Sequence, residues 1–379
     1  MAELNDLVLQ LLNQQIAAGS QLGTQVCAYR NGQKIVDAWA GMMGPEDGRP
    51  VQADTLFSCF STTKGVAATA LHILADRGQI DYDAPVAKYW PGFAKNGKER
   101  LTVAEAMTHQ AGLHAVPRPL TVEFVQDWDA GIRWIEDGVP AWEPGTATGY
   151  HALTYAWVVG GIVQGATGRH IKDVIAEEIA GPLGVADQMF VGIPDGIEDR
   201  LSSLQTAPPN PAMAAMIPPD SLFFEAMPPD SQLNFNDMRV RKSCIPSANG
   251  HFSARALARM YGALANGGEV DGVRLVSPDR VTRMQRIYTR EPDRVIMNMP
   301  INKGIGYFMG GTANGVSGAT GPRETSFGHP GAGGSIAFAD PEVGLSIAVT
   351  LNKMQNSMQG EGPTLEICEL IRNELGVNG

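Results

Sequence analysis

The spacing of apolar residues changes several times along this chain, and each change marks an element. Leu4, Leu7, Leu9, Leu11, Leu12 and Ile16 recur at helical intervals, and Gly19 and Gly23 close the run. Residues 26–30 and 34–36 then read as strands joined by Asn31-Gly32, a dipeptide suited to a two-residue hairpin turn. Between Ser61 and Gly78 the apolar residues Val66, Ala67, Ala70, Leu71, Ile73 and Leu74 cover most of a helical circumference, which predicts a buried helix stopped at Gly78. Residues 80–150 hold connections rich in Asp, Pro and Gly with short helices, one of them at 103–108, and a second apolar helix follows at 153–165. An amphipathic helix at 253–266 stops at Gly267-Gly268. Strand patterns return at 304–309, 335–338 and 345–351, and a last helix spans about 362–375.

Helices at both ends, strands just inside them and helices between imply an α+β fold. The expected arrangement is an antiparallel sheet flanked by the N- and C-terminal helices, built from residues 1–85 and 245–379, with a mostly helical lobe inserted at 86–244. Residues 205–240 stand apart: Pro208, Pro209, Pro211, Pro218, Pro219, Pro228 and Pro229 break up Met213, Met216, Phe223, Phe224 and Met227. This segment reads equally well as a surface loop packed on itself and as an adaptable apolar wall of a substrate pocket.

Composition narrows the function classes. A chain of 379 residues, 44% hydrophobic and 18% charged, buries a large core. The net charge of −11 and the lack of a long basic run argue against a nucleic-acid partner. The first residues, Met1 to Asp6, carry early acids and no basic start, so no signal peptide is expected. No stretch approaches the roughly 18 apolar residues of a membrane span. The four cysteines (Cys27, Cys59, Cys244, Cys368) form no C-x-x-C, so reduced thiols and a cytoplasmic location are expected, with Cys59 a small buried hydrophobe. The seven histidines include no H-E-x-x-H spacing, so neither a metal nor another cofactor is expected.

Candidate chemistry starts at Ser61-Thr62-Thr63-Lys64. Three residues apart on a helix, a hydroxyl and an amine share one face, and a serine needs such a neighbour to become a nucleophile. Tyr150 precedes the apolar helix at 153–165 and is a candidate base, provided that a cation such as Lys64 lowers the phenol's pKa. Tyr150 and Lys64 both remain open as the base. His329-Pro330-Gly331-Ala332-Gly333-Gly334 precedes a strand; its glycines let backbone approach a substrate, and Pro330 places it on a sheet edge, where a free N–H is available to an oxyanion. Gly315-Val316-Ser317-Gly318-Ala319 and Gly333-Gly334-Ser335-Ile336-Ala337 both lack the last glycine of G-x-S-x-G, and no alternating βα units accompany them, which argues against an α/β-hydrolase. Trp142 and Trp157 are candidates to line the cleft, with core packing the favoured role for both.

In order and rough spacing, Ser61-x-x-Lys64, Tyr150-His151-Ala152 and His329-Pro330-Gly331 resemble the S-x-x-K, Y-x-N and K-T-G motifs of the serine β-lactamase and penicillin-binding-protein superfamily. Residues 101–113, ending His109-Gln110-Ala111-Gly112-Leu113, look like that superfamily's H-x-S-G-L segment, with Ala111 where serine is usual. The chain is most similar to the class C-like family VIII carboxylesterases, because Y-x-N loses its asparagine and K-T-G loses its lysine and threonine. The resemblance implies a β-lactamase/transpeptidase-like fold and a serine hydrolase that cleaves carboxylic esters of short to medium acyl chains through a Ser61 acyl-enzyme. It further implies an oxyanion hole made by the backbone N–H groups of Ser61 and Ala332, and substrate contacts from His329, Gly331 and His151. The implied partner is a small-molecule ester. Action on β-lactam or D-Ala amides, acyl transfer and a non-catalytic scaffold are the alternatives.

Overall fold

The computed structural model of the chain describes residues 2–206, 217–313, 316–355 and 361–378. Helix α1 (Ala2–Ala17) leads into strands β1 (Gly23–Arg30) and β2 (Gln33–Gly41). The turn between them has positive φ at Asn31 (49°) and Gly32 (75°), the pair of left-handed residues that matches the twist of a tight hairpin. Helices α2 (Thr62–Asp76), α3 (Tyr155–Thr167) and α4 (Ala254–Ala265) follow. Then come strands β3 (Lys303–Gly304), β4 (Tyr307–Met309), β5 (Phe327–Pro330), β6 (Ile336–Asp340) and β7 (Leu345–Leu351), and helix α5 (Pro363–Glu374).

The seven strands form one antiparallel sheet in the order β3-β4-β5-β6-β7-β1-β2. Strands from early and late in the chain therefore pair inside the sheet, β7 with β1, where Val26 lies opposite Val349. Strand alternation sorts the two faces. Val26, Ala28, Phe338, Ile347 and Val349 face the terminal helices, meeting Leu4, Val8 and Leu12 of α1 and Ile367 and Ile371 of α5. Cys27, Tyr29, Ala337 and Ala348 face the opposite way, into the larger core that holds α2, α3 and α4. Small residues dominate that second face, which lets α4 sit close: Gly262 comes near enough that a Cβ there would lie 3.0 Å from the Tyr29 ring.

Three expectations need correction. Residues 304–309 are two strands and not one, because Gly306 turns the chain with φ of 84°. The Pro330 segment is not on a sheet edge, since β5 pairs with β4 on one side and β6 on the other. The β4 pairing stops at Gly328, however, so His329 and Pro330 keep one side unpaired. Finally, a small sheet of residues 57–58, 189–191 and 250–252 links the ends of the helical region and was not anticipated, because two- and three-residue strands carry almost no periodic signal. Of the Pro- and Met-rich segment, Met213 and Met216 lie outside the described residues, whereas Leu222, Ala226 and Met227 pack with Tyr150, Trp142 and Val295. Among the described residues no helix is long and apolar enough to cross a membrane.

Candidate active site

Ser61 is delivered by the short strand Phe57–Ser58. The Cys59 N–H bonds the Gly250 carbonyl, and Phe60 then adopts φ of 45°, a left-handed conformation that a bulky residue takes only under constraint. That constraint is visible. The Phe60 carbonyl accepts both the Thr63 N–H and the Thr63 hydroxyl, and the Phe60 ring lies 4.8 Å from that of Phe235. The chain thus turns sharply from strand into α2 with Ser61 at the corner. Ser61 does not cap the helix with its side chain, which leaves its Oγ available.

That oxygen has two side-chain neighbours. The Tyr150 hydroxyl lies 2.7 Å away and Lys64 Nζ lies 3.2 Å away. Lys64 is fully buried one helical turn below Ser61, and its Nζ also donates to the carbonyls of Ala152 at 2.7 Å and Ser247 at 2.9 Å. Burial away from any carboxylate holds this amine well below the usual lysine range. A neutral amine has two N–H bonds and one lone pair. Nζ thus contacts three oxygens, and if it gives up one proton the two carbonyls can hold its remaining N–H bonds while the lone pair is left toward Ser61 Oγ. Tyr150 goes the other way: burial raises its phenol above the ordinary range, its hydrogen bond to Ser61 opposes the rise, and the charge of Asp293 adds to it. The expected depression of the phenol's pKa is therefore reversed.

The backbone around Tyr150 is fixed by three consecutive bonds. The Gly149 N–H donates to the His109 carbonyl, the Tyr150 N–H to Asp293 Oδ1 and the His151 N–H to His109 Nδ1. His151 itself lies behind the site, which corrects its expected contact with substrate. Its Nδ1 donates to the Gly149 carbonyl, its Nε2 accepts the Leu113 N–H, and the ring is 1% exposed, so no ring nitrogen is left for a ligand. Trp157 is a core residue, whereas Trp142 stands in the cluster around Tyr150.

His329 stacks between Tyr150 and Phe308, with ring centres 6.0 Å and 4.3 Å away. Its Nδ1 donates to the Pro330 carbonyl, and burial, aided by the charge of Lys64, pushes its pKa down to about 3. The ring is uncharged at neutral pH, and its Nε2 is a buried acceptor with no hydrogen-bond partner among the described residues.

Gly331 contributes its lack of a side chain. A Cβ there would lie 2.3 Å from the Cys59 carbonyl oxygen and 2.3 Å from Ser335 Oγ. The strand end therefore lies directly on the start of α2. Ser335 reinforces the join by donating to the Cys59 carbonyl at 2.9 Å and meeting Thr62 Oγ1 at 3.2 Å. At this seam neither the Ser61 N–H nor the Ala332 N–H has an acceptor among the described residues. Beside it opens a cavity of about 620 Å³ that reaches Phe308, Pro330, Gly331 and Ser335 and is walled as much by polar residues such as Arg290, Glu324 and Gln355 as by apolar ones; Ser61, Lys64 and Tyr150 do not line it. Cys59 is buried under the seam with its thiol pKa raised by burial, which makes it inert; the four cysteines are unbonded.

His109, Ser247, Asp293 and Ser335 were not singled out from sequence. His109 stood inside a recognisable segment, but its two contacts to residues 149 and 151 depend on a positive φ of 64° that no pattern announces.

A family model described as Beta-lactamase matches residues 8–367. The esterase/beta-lactamase LipL of Mycobacterium tuberculosis is 37% identical over 349 residues, covering 88% of this chain and 77% of that protein. Among solved structures, a family VIII carboxylesterase superposes with a TM-score of 0.87 at 32% identity, over 98% of this chain and 97% of the other. A penicillin-binding protein homologue from Caulobacter crescentus gives 0.85 at 34% identity, over 97% and 96%. The match over nearly the whole chain agrees with the seven-stranded sheet and with the contacts at Ser61: the chain belongs to the β-lactamase family.

Proposed function

We propose that this protein is a serine carboxylesterase that works through a Ser61 acyl-enzyme. The observation that carries the reading is the pair of contacts at Ser61 Oγ, with the Tyr150 hydroxyl at 2.7 Å and Lys64 Nζ at 3.2 Å. The neutral Lys64 amine takes the Ser61 proton while Oγ attacks the ester carbonyl. The carbonyl oxygen becomes an oxyanion held by the unpaired N–H groups of Ser61 and Ala332. When the intermediate collapses, the C–O bond to the alcohol breaks and the Tyr150 phenol gives its proton to the departing alkoxide. The Lys64 ammonium returns a proton to the Tyr150 phenolate. Water then repeats the cycle on the acyl-enzyme and releases the acid and Ser61.

The preference for esters is supported by the neutral, buried His329, which offers no positive charge to the carboxylate of a β-lactam. Short to medium acyl chains belong to the same reading: the cavity of about 620 Å³ that reaches Phe308, Pro330 and Gly331 leaves space next to the site for such a group. The name of the Mycobacterium tuberculosis relative couples esterase with β-lactamase, which favours slow cephalosporin cleavage as a second activity of the same serine. A cytoplasmic location belongs to the same reading and is supported by the unbonded cysteines.

The test offers p-nitrophenyl butyrate and a chromogenic cephalosporin to the wild type and to Ser61→Ala. Ester turnover should dominate in the wild type and fall by several orders of magnitude in the variant. Dominant cephalosporin turnover, or a Ser61→Ala enzyme that keeps most of its esterase activity, would refute the proposal. Gly331→Ala is expected to lower kcat by about 100-fold while the protein stays folded, because the new methyl group pushes the Ala332 N–H away from Ser61. Circular dichroism alongside the assay checks this, and an unchanged kcat would remove Ala332 from the oxyanion hole.

A further inference from the structure

Asp293 and Lys303 form an ion pair, Nζ to Oδ2 at 2.9 Å, with side chains 0% and 1% exposed. The pair lies beside the catalytic tyrosine, and the reaction proposed above makes no use of it. Withdrawing two charges from water costs several kcal/mol per ion, and an apolar pair of similar size often serves stability as well or better. Stability alone is therefore a weak reason for this pair. Its geometry offers another. The second oxygen, Asp293 Oδ1, accepts three backbone N–H groups at once: Tyr150 at 3.0 Å, Val295 at 3.0 Å and Ile296 at 2.8 Å. A carboxyl oxygen, with more than one lone pair to offer, suits three backbone donors converging from one side. Lys303 Nζ holds the other oxygen, Oδ2, at 2.9 Å, so the pair orients the carboxyl with Oδ1 turned toward these three donors.

The connections reach further. The Arg294 N–H donates to the Thr148 carbonyl, so the Asp293 segment runs alongside residues 148–150. Val295 packs in the Tyr150 cluster, and Lys303 lies opposite Phe308 in the β3–β4 hairpin, whose ring is 5.6 Å from that of Tyr150.

We infer that the buried Asp293–Lys303 pair is a positioning device for catalysis, in which the Asp293 carboxylate holds the Tyr150 backbone so that its hydroxyl stays on Ser61 Oγ. The inference rests on the proton-donor role proposed for Tyr150. Asp293 and Lys303 touch neither substrate nor the reacting atoms and act only through Tyr150. The negative charge of Asp293 also works against a Tyr150 phenolate and so keeps the phenol protonated until the leaving group calls for the proton.

The test is a double-mutant cycle on p-nitrophenyl butyrate hydrolysis. Asp293→Leu/Lys303→Met replaces the pair with apolar side chains, and Asp293→Asn/Lys303→Met removes both charges but keeps an acceptor oxygen. The Leu/Met variant should lose about 100-fold in kcat with KM nearly unchanged, from a displaced Tyr150 hydroxyl. The Asn/Met variant should recover most of that loss. In a Tyr150→Phe background the Leu/Met change should cost almost nothing more. Unchanged kcat in a folded Leu/Met variant, or an equal loss with and without the Tyr150 hydroxyl, would overturn the inference. Asp293→Ala/Lys303→Met serves as a second loss variant. If neither loss variant folds, the pair is needed for the fold itself and the inference is likewise overturned. A fully active Tyr150→Phe enzyme would instead refute the role of Tyr150, a failure visible before the pair is touched.

Discussion

Lys64→Met is expected to lower kcat for p-nitrophenyl butyrate by on the order of 10³- to 10⁴-fold, the range lost with a general base. The argument is stereochemical before it is electrostatic. Nζ contacts Ser61 Oγ and the carbonyls of Ala152 and Ser247; in the unprotonated amine the two carbonyls hold the two N–H bonds and the lone pair is left for the Ser61 hydroxyl. Methionine keeps the length of the side chain and removes that lone pair. Tyr150→Phe should cost less, about 100-fold, because water is able to protonate a good leaving group in place of the phenol. The pH profile supplies a second check. The amine acts only when unprotonated, so kcat/KM is present above its lowered pKa and declines as pH falls through that value. The acid limb assigned to Lys64 should vanish from the residual activity of Lys64→Met. A Lys64→Met enzyme more active than Tyr150→Phe would hand the role of base to the tyrosine.

The second large effect is on stability. His72, His151, His251 and His329 are buried, and burial pushes each down to about 3; His109 and His114 are also buried and lowered. In the unfolded chain an imidazole titrates near 6.5. Between pH 3 and 6.5 the unfolded state therefore binds more protons than the native state, so stability rises with pH across that window and is lost as pH falls through it. Each of the four should cost about 2 kcal/mol at pH 5 relative to neutral pH. Together they rival the whole stability of an ordinary domain, which is roughly 5–15 kcal/mol. The protein should unfold cooperatively on mild acidification, between about pH 5 and 4. Urea titrations at pH 7, 6 and 5 would measure the slope, and a midpoint that stays flat over that range would contradict the account.

Local chemistry wrote much of the site into the sequence. Ser61 and Lys64 share one helical turn, and Tyr150 and His329 each sit in a motif that a reader of sequences recognises. The sheet was legible for a similar reason: Asn31-Gly32 admits one hairpin turn, and β1, β6 and β7 carry sustained apolar runs. What escaped notice depends on side chains that meet only in the fold. The acceptors of Lys64 come from Ala152 and Ser247, and no spacing rule joins them to residue 64. The direction of the Tyr150 shift escaped because the burial of a phenol is not written near it. His151 looked like a cleft residue from its place beside Tyr150, yet a strongly held backbone turned its ring inward, where two peptide groups occupy both nitrogens.

The pairing of β1 with β7 has a consequence for synthesis. β1 is made more than 300 residues before its second neighbour, β7. For most of translation the β1–β2 hairpin exposes a row of unpaired peptide groups, with Val26 and Ala28 uncovered by their partners on β7. Such an edge invites wrong partners, and long-range closure of this kind is slow. The seam at Gly331 also waits for the same late stretch, so a nascent chain would carry Ser61 and Lys64 long before Gly331 closed on Cys59, and the proposed hydrolytic competence would arrive only after residues 331–351 had been made.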